Sequence, residues 1–358
     1  MTLSSFLDRF GTLPCVRRIL LPVAVLGCLF LASPAGAAPA FRDTVLSANA
    51  PRSLQATAEW GGPTVATDGE TVTIYFSDTY PVDPVRAKQW ADFLTSLIHG
   101  PELATVSVHF APPNEVQRLC GLQALACYSS NLATIVAPPV DPAIQTSAKG
   151  VLAHEYGHHI AAGRLNPPFV SVDYGTKRWA TYENVCARAS TGDLYPGAED
   201  SRHYMLNPGE AFAESYRLLN EQRLGLTPEA WNIVTPSLYP DATALSLLEQ
   251  DVVTPWPANT VRRLTAKLNA KVRTRTYDLS TPYDGMLTVL PTQAGSAKVT
   301  VSLLASGSVF KTRSFRRAKG ESLSTTVCGQ RDYGLRVSLA GTVAKTAKTT
   351  VTLSLLTP

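Results

Sequence analysis

Residues 71–76 (TVTIYF) and 105–110 (TVSVHF) alternate apolar and polar positions, and their β-branched content predicts two strands. Between them Val85, Trp90, Phe93, Leu94 and Leu97 recur at helical spacing, so residues 83–98 are expected to form an amphipathic helix. A third strand is expected around 133–136, ended by Pro138 and Pro139. Residues 146–163 follow, with Val151, Leu152, Ile160, Ala161 and Ala162 making them apolar enough for a core helix. Residues 164–206 read as irregular, with one helix around 181–189. Residues 207–223 then carry a strong helix signal, with Asn207 suited to the cap and Pro208 to the first turn. A shorter helix is expected over 242–248, and Pro255-Trp256-Pro257 marks a boundary. From about 261 the texture changes to short runs rich in Val, Thr, Ser and Leu between Gly and Pro turns. Segments 286–290, 298–304, 322–327, 333–339 and 349–355 are the strands expected of a small antiparallel sandwich. The fold expected is an α+β domain over residues 67–257 followed by a small all-β sandwich domain over 258–358.

Charge follows the same division. Residues 38–257 hold 13 Lys and Arg against 23 Asp and Glu, whereas 258–358 hold 16 against 4. The whole-chain net of +4 conceals this split, which suggests two modules with different partners. In the basic part, Arg262, Arg263, Lys271, Arg273 and Arg275 precede a cluster of Lys311, Arg313, Arg316, Arg317 and Lys319. Docking to an anionic cell-surface polymer is one expectation. Packing against the acidic domain and simple solubility are the others. Nucleic-acid binding is not expected, because no stacking aromatics accompany the arginines.

The first 37 residues have the layout of a secretion signal. Arg17 and Arg18 precede the apolar run 19–32, and Ala35-Gly36-Ala37 fits a cleavage site. A lipid-anchor reading at Cys28 is weaker, because apolar residues continue after it. No other segment is long and apolar enough to span a membrane, so a secreted, extracellular protein is expected. Residues 38–66, rich in Ala, Ser, Thr and Gly, read as a flexible tail or short pro-region. Beyond the signal stand Cys120, Cys127, Cys186 and Cys328, an even number that favours disulfides in an exported chain. Cys120 with Cys127 would close a short loop and Cys186 with Cys328 a long one, but spacing does not fix the connectivity.

The candidate chemistry lies in the apolar helix. Residues 154–158 read His-Glu-Tyr-Gly-His, an H-E-x-x-H motif. Histidines four apart share a helix face and can reach one metal ion, with zinc the expected one. The intervening Glu155 can take a proton from water polarised by that metal. A chance match is expected on the order of a few times per thousand such chains, so coincidence explains the motif poorly. Gly157, which costs a helix about 1 kcal/mol relative to Ala, implies a close neighbour. His159 points elsewhere and reads as structural. A third protein ligand is still needed. The three-histidine extension is excluded, because Ala161 and Arg164 stand where Gly and His would be required. Glu210 is the best candidate. Glu214, one turn on, would hold the outer nitrogen of a ligating histidine. The plainer explanation of Glu210 is a capping box with Asn207. Glu214 itself, Asp173, Glu183 and His203 are lesser candidates for the ligand.

H-E-Y-G-H followed by Gly-Glu-Ala-Phe-Ala-Glu-Ser-Tyr-Arg resembles the gluzincin zinc metallopeptidases, and in its ligand helix the anthrax lethal factor-like peptidases. The resemblance implies a zincin-like catalytic domain, a protein or peptide substrate, His154, His158 and Glu210 as zinc ligands, and Glu155 as general base. It also implies an edge strand, at residues 133–136, that aligns the substrate. A tyrosine stands near the ligand helix in lethal factor-like members, which makes Tyr204 a catalytic candidate at a position offset by one residue. The 51 residues between His158 and Glu210 depart from thermolysin-like members. The last hundred residues, with Tyr333-Gly334-Leu335-Arg336-Val337, resemble pre-peptidase C-terminal-type domains. Together these lead to the expectation of a secreted zinc metalloendopeptidase. The alternatives are a non-catalytic surface-binding protein with a residual metal site, and a non-peptidase zinc hydrolase.

Overall fold

The computed structural model describes residues 44–46, 58–142, 146–316, 320–342, 344, 346 and 348–358. The expected signal segment lies outside them. The described chain is mixed α/β in its N-terminal region and all-β after residue 259.

The N-terminal region is built on six strands: β1 (Val45–Leu46), β2 (Glu59–Val65), β3 (Thr71–Ser77), β4 (Ser107–Phe110), β5 (Cys127–Ser129) and β6 (Thr134–Ala137). Their order in the sheet is β1-β5-β6-β4-β3-β2. β3, β4 and β6 run parallel, while β2 and β5 run antiparallel to their inner neighbours. Helix α1 (Pro84–Ser96) carries the chain from β3 toward β4, and Asp83 caps it by accepting from the Val85 and Arg86 amides. Ile74, Phe76, Val108, Phe110 and Ile135 are fully buried and form one core with Trp90 and Leu94 of α1.

Two expectations about this sheet need correction. The segment 38–66 is not all tail, because residues 59–65 pair along the whole length of β3 and 45–46 pair with β5. The Gly-Gly-Pro of β2 hid the strand, since it suits an edge position rather than the usual strand composition. Residues 133–136 are also not an edge strand. β6 is bonded to β4 on one side and β5 on the other, because 127–137 folds as a hairpin rather than as one strand.

α2 (Pro113–Cys120) packs near this hairpin, and Cys120 is bonded to Cys127. The motif helix is α3 (Ala148–Ala162), started by the Ser147 hydroxyl accepting from the Gly150 amide and stopped at Gly163. The segment expected to be irregular contains α4 (Ser171–Tyr174), α5 (Lys177–Tyr182) and α6 (Val185–Thr191). The single helix expected over 181–189 is thus broken in two at Asn184, whose φ of 56° no α-helix accommodates. α7 (Pro208–Arg223) and α8 (Ala242–Val253) complete the layer, and α3 and α7 lie against each other.

The C-terminal region has eight strands: β7 (Thr260–Asn269), β8 (Thr274–Thr281), β9 (Gly285–Ala294), β10 (Lys298–Ala305), β11 (Ser308–Arg316), β12 (Leu323–Val327), β13 (Arg331–Leu339) and β14 (Lys348–Thr357). They form two four-stranded antiparallel sheets, β11-β10-β13-β8 and β12-β9-β14-β7, whose inner faces share one core that includes Leu287, Val301, Leu335 and Leu353. β7, β8 and β11 were not among the expected strands. They are rich in Arg, Lys and Thr, and mostly exposed, so their hydrophobic alternation is weak.

The two regions are joined covalently by Cys186 of α6 and Cys328 after β12. Beside that bond the Lys177 ammonium donates to the Asp284 and Pro167 carbonyls at 2.8 and 3.1 Å, and the Thr181 hydroxyl accepts from the Asp284 amide. Two disulfides fit a chain that matures in an oxidising compartment. Among the described residues no helix is long and apolar enough to cross a membrane.

Candidate metal centre

Thirteen of the fifteen residues of α3 are buried, so its polar side chains must find partners inside the protein. The closest neighbour is α7. A Cβ at Gly157 would lie 2.8 Å from the Ala213 Cα, so the two helix backbones touch and only glycine fits at 157. This contact brings Glu210 of α7 opposite His154 and His158 of α3.

His154, His158 and Glu210 form a buried cluster whose ligand atoms all lie within 4.8 Å of one another. His154 Nε2 is 3.3 Å from Glu210 Oε2, and His158 Nε2 is 3.6 Å from Glu210 Oε1. Tetrahedral ligands about 2.0–2.1 Å from zinc stand about 3.3–3.4 Å apart, so the spacing suits such an ion. His154 Nδ1 lies 3.0 Å from Glu214 Oε2, and a carboxylate only accepts, so Nδ1 carries the proton. In the neutral ring, the Nε2 lone pair then faces the Glu210 carboxylate. Two acceptors at 3.3 Å repel, and a cation between them removes the conflict. Glu210 Oε1 has no hydrogen-bond donor among the described residues, although it is fully buried. The donor set, two imidazoles and one carboxylate, is one that divalent zinc accepts. The cluster could therefore hold a metal ion.

Glu214 is itself held. Arg217 donates to both of its oxygens, at 2.6 and 2.9 Å, and to both oxygens of Glu221 at 2.6 Å. Burial alone would raise the Glu214 carboxyl, but the bonds to His154 and Arg217 outweigh it and hold the group below its usual range. The chain His154–Glu214–Arg217–Glu221 thus fixes the ring on which the cluster depends. Arg217 was not singled out in the sequence. Its signal was the spacing Glu214, Arg217, Glu221, three and four apart on one helix face.

The capping-box alternative for Glu210 is not formed. The Asn207 side chain accepts from the Gly209 amide, and the Asn207 backbone N–H donates to the Tyr204 carbonyl instead of the Glu210 carboxylate. Glu210 accepts from the Tyr204 hydroxyl at 2.9 Å, which places Tyr204 at the edge of the cluster. Glu155 lies between the two histidines on α3 and is fully buried.

Of the lesser candidates, His203, Glu183 and Asp173 do not join the three-residue cluster. His203 pairs with Asp200 at 3.0 Å and stacks on Tyr195. Burial raises the Glu183 carboxyl to about 7 at the end of α5. Burial also raises the Asp173 carboxyl, against the pull of nearby His158. His159 is buried and structural, with Nδ1 3.1 Å from the Tyr128 hydroxyl and Nε2 2.9 Å from the Glu102 carbonyl. Tyr128, unnoticed in the sequence, lies parallel to the His158 ring with centroids 6.5 Å apart.

No protein-family model matches the chain, and no curated protein matches it. Among solved structures, the chain is similar over part of its length to the Yersinia pseudotuberculosis-derived mitogen, at 11% identity and a TM-score of 0.23, covering 28% of this chain and 87% of that one. It is likewise similar to the carbohydrate-binding module CBM36 in complex with calcium and xylotriose, at 11% identity and a TM-score of 0.20, covering 28% and 88%. A third likeness is to IMPa from Pseudomonas aeruginosa in complex with an O-glycopeptide, at 13% identity and a TM-score of 0.18, covering 42% and 20%. These TM-scores are too low to identify a fold, so the chain's own residues carry the functional argument.

Proposed function

We propose that this chain is an exported zinc metallopeptidase of the gluzincin type, with a zincin-like catalytic region and a sandwich appendage. The observation that carries the reading is the buried group of His154, His158 and Glu210, with Glu155 on the same helix between the histidines. The three side chains would hold the metal, which when bound supplies Lewis-acid polarisation of the scissile carbonyl and of the attacking water. Glu155 takes the proton from that water and returns it to the leaving amine. Glu214 and Arg217 keep the His154 ring in the tautomer that offers Nε2. The Tyr204 hydroxyl, which donates to Glu210 in this structure, would be released to donate to the developing oxyanion once that carboxylate binds a metal.

Metal analysis and a casein-hydrolysis assay of the wild type and Glu155→Gln test this directly. Stoichiometric zinc in both proteins is expected, with hydrolysis at least 10³-fold slower in the variant. Absence of zinc would remove the metal reading. Zinc with no hydrolysis by the wild type would favour the surface-binding alternative, and undiminished turnover in the variant would sink the role of Glu155.

The basic appendage is proposed to dock on an anionic surface. Arg262, Arg263, Lys311 and Arg313 are all exposed, which speaks against their serving only to pack on the acidic region. Binding of the full chain to teichoic-acid-containing wall fragments should weaken severalfold between 50 and 200 mM salt, on the order expected for multiple ion contacts. Retention that ignores salt, or none at all, would reject it.

A further inference from the structure

β5 is a short strand beside the candidate centre. Its Tyr128 ring lies 9° from parallel to the His158 ring. One side of β5 is bonded to β6. The other is taken by β1, in parallel, with Val45 opposite Tyr128 and Leu46 opposite Ser129. The Tyr128 amide donates to the Thr44 carbonyl at 3.3 Å, and the same register calls on the Leu46 amide to donate to the Tyr128 carbonyl. Val45 packs on the main core, and Leu46 on the small cluster that includes Val116, Cys120 and Cys127. Thr44 also lines a cavity of about 240 Å³ together with Gly121, Ala124, Glu199 and Tyr204. That tyrosine is the one bonded to Glu210. A single short segment therefore fills the backbone edge nearest the centre and borders the cavity that reaches its tyrosine.

The outer edge of a strand is a surface on which an extended peptide docks, since backbone bonds give affinity and its alternate side chains pack on either face. We propose that the outer edge of β5 and the adjoining cavity form a peptide-docking surface, and that its occupant is the chain's own segment Thr44–Leu46, which keeps other peptides out. This rests on the peptidase reading for its consequence: the N-terminal arm is a built-in competitor of substrate. Proteolytic removal of the arm, or its displacement, would expose the edge without any change to the metal ligands.

The test uses the zinc-loaded full chain as wild type, Leu46→Pro and Val45→Asp. Proline removes the Leu46 amide donor, whereas aspartate keeps the backbone and removes the apolar anchor, so the two act independently. The probe is a fluorescein-labelled peptide of residues 38–47, read by anisotropy, with casein hydrolysis measured in parallel. Both variants should bind the peptide roughly tenfold more tightly than the wild type does. They should also hydrolyse casein severalfold faster, and excess unlabelled peptide should reverse that gain. Equal peptide binding by all three proteins, or none, overturns the docking surface even where Glu155-dependent hydrolysis is seen. Tighter binding by the variants with no hydrolysis by any form upholds the docking surface and removes the peptidase reading instead.

Discussion

At the scale of single residues, the site depends on charges held in a buried interior. Glu210 and Glu214 occupy neighbouring turns of one helix face yet have different partners: Glu210 faces two imidazoles and a tyrosine, Glu214 an imidazole and an arginine. Arg217 decides this difference, because its fixed fork satisfies both Glu214 oxygens and leaves Glu210 as the group facing the cluster. Glu183 offers a separate test of buried charge. Burial raises its carboxyl from 4.5 to about 7, so the folded state holds a proton that the unfolded chain has already lost. A raised carboxylate destabilises the fold progressively as pH climbs from about 4.5 to 7, and fully above that. Glu183→Gln should therefore match the wild type in thermal midpoint at pH 4. At pH 8 it should exceed the wild type by an amount equivalent to roughly 1–2 kcal/mol, discounted for the group's partial exposure. A difference that does not grow with pH in calorimetric scans would rule the titration out.

At the scale of elements, the packing of α3 on α7 converts two separate motifs into one cluster. The reason sits at Gly157, where the Ala213 backbone leaves no room for a methyl group. Gly157→Ala gains about 1 kcal/mol of helix propensity but pushes apart two buried helices, an overpacking that costs about 1–3 kcal/mol or more. The expected balance is a lower urea midpoint together with weaker zinc binding, since the displaced helix carries Glu210. A zinc affinity that stays the same while stability drops would show that the cluster tolerates a shift between the helices. Much at this level was legible beforehand. The motif helix, the 207–223 helix and most sandwich strands follow from periodicity and caps. Short strands and the basic strands were not, because β1 and β5 have two and three residues, and β7 and β11 carry cations where a pattern needs apolar positions. Nor does spacing reveal that 127–137 turns back on itself, which moved the sheet edge from β6 outward.

At the scale of the whole molecule, the N-terminal α/β region and the sandwich are tied where Lys177, Thr181 and Cys186 meet Asp284 and Cys328. The Cys186–Cys328 bond spans 142 residues of sequence. In the chain-entropy account, closing a loop of that length contributes up to about 5 kcal/mol, less any strain. Cys186→Ser with Cys328→Ser should therefore lower the denaturation midpoint markedly and split one calorimetric transition into two as the regions unfold separately. A single, unshifted transition would mean that the polar junction alone holds them together. The sequence by itself determined the two-region plan, the histidine pair, the glutamate between them and the two acids downstream, because each is a local matter of periodicity or of spacing along one helix. Tertiary structure alone decided that Glu210 faces the histidines rather than its own helix start, that Arg217 secures Glu214, and that residues 45–46 cover the edge beside the site. Those outcomes depend on which backbones approach closely across scores of intervening residues, and no local pattern encodes that approach.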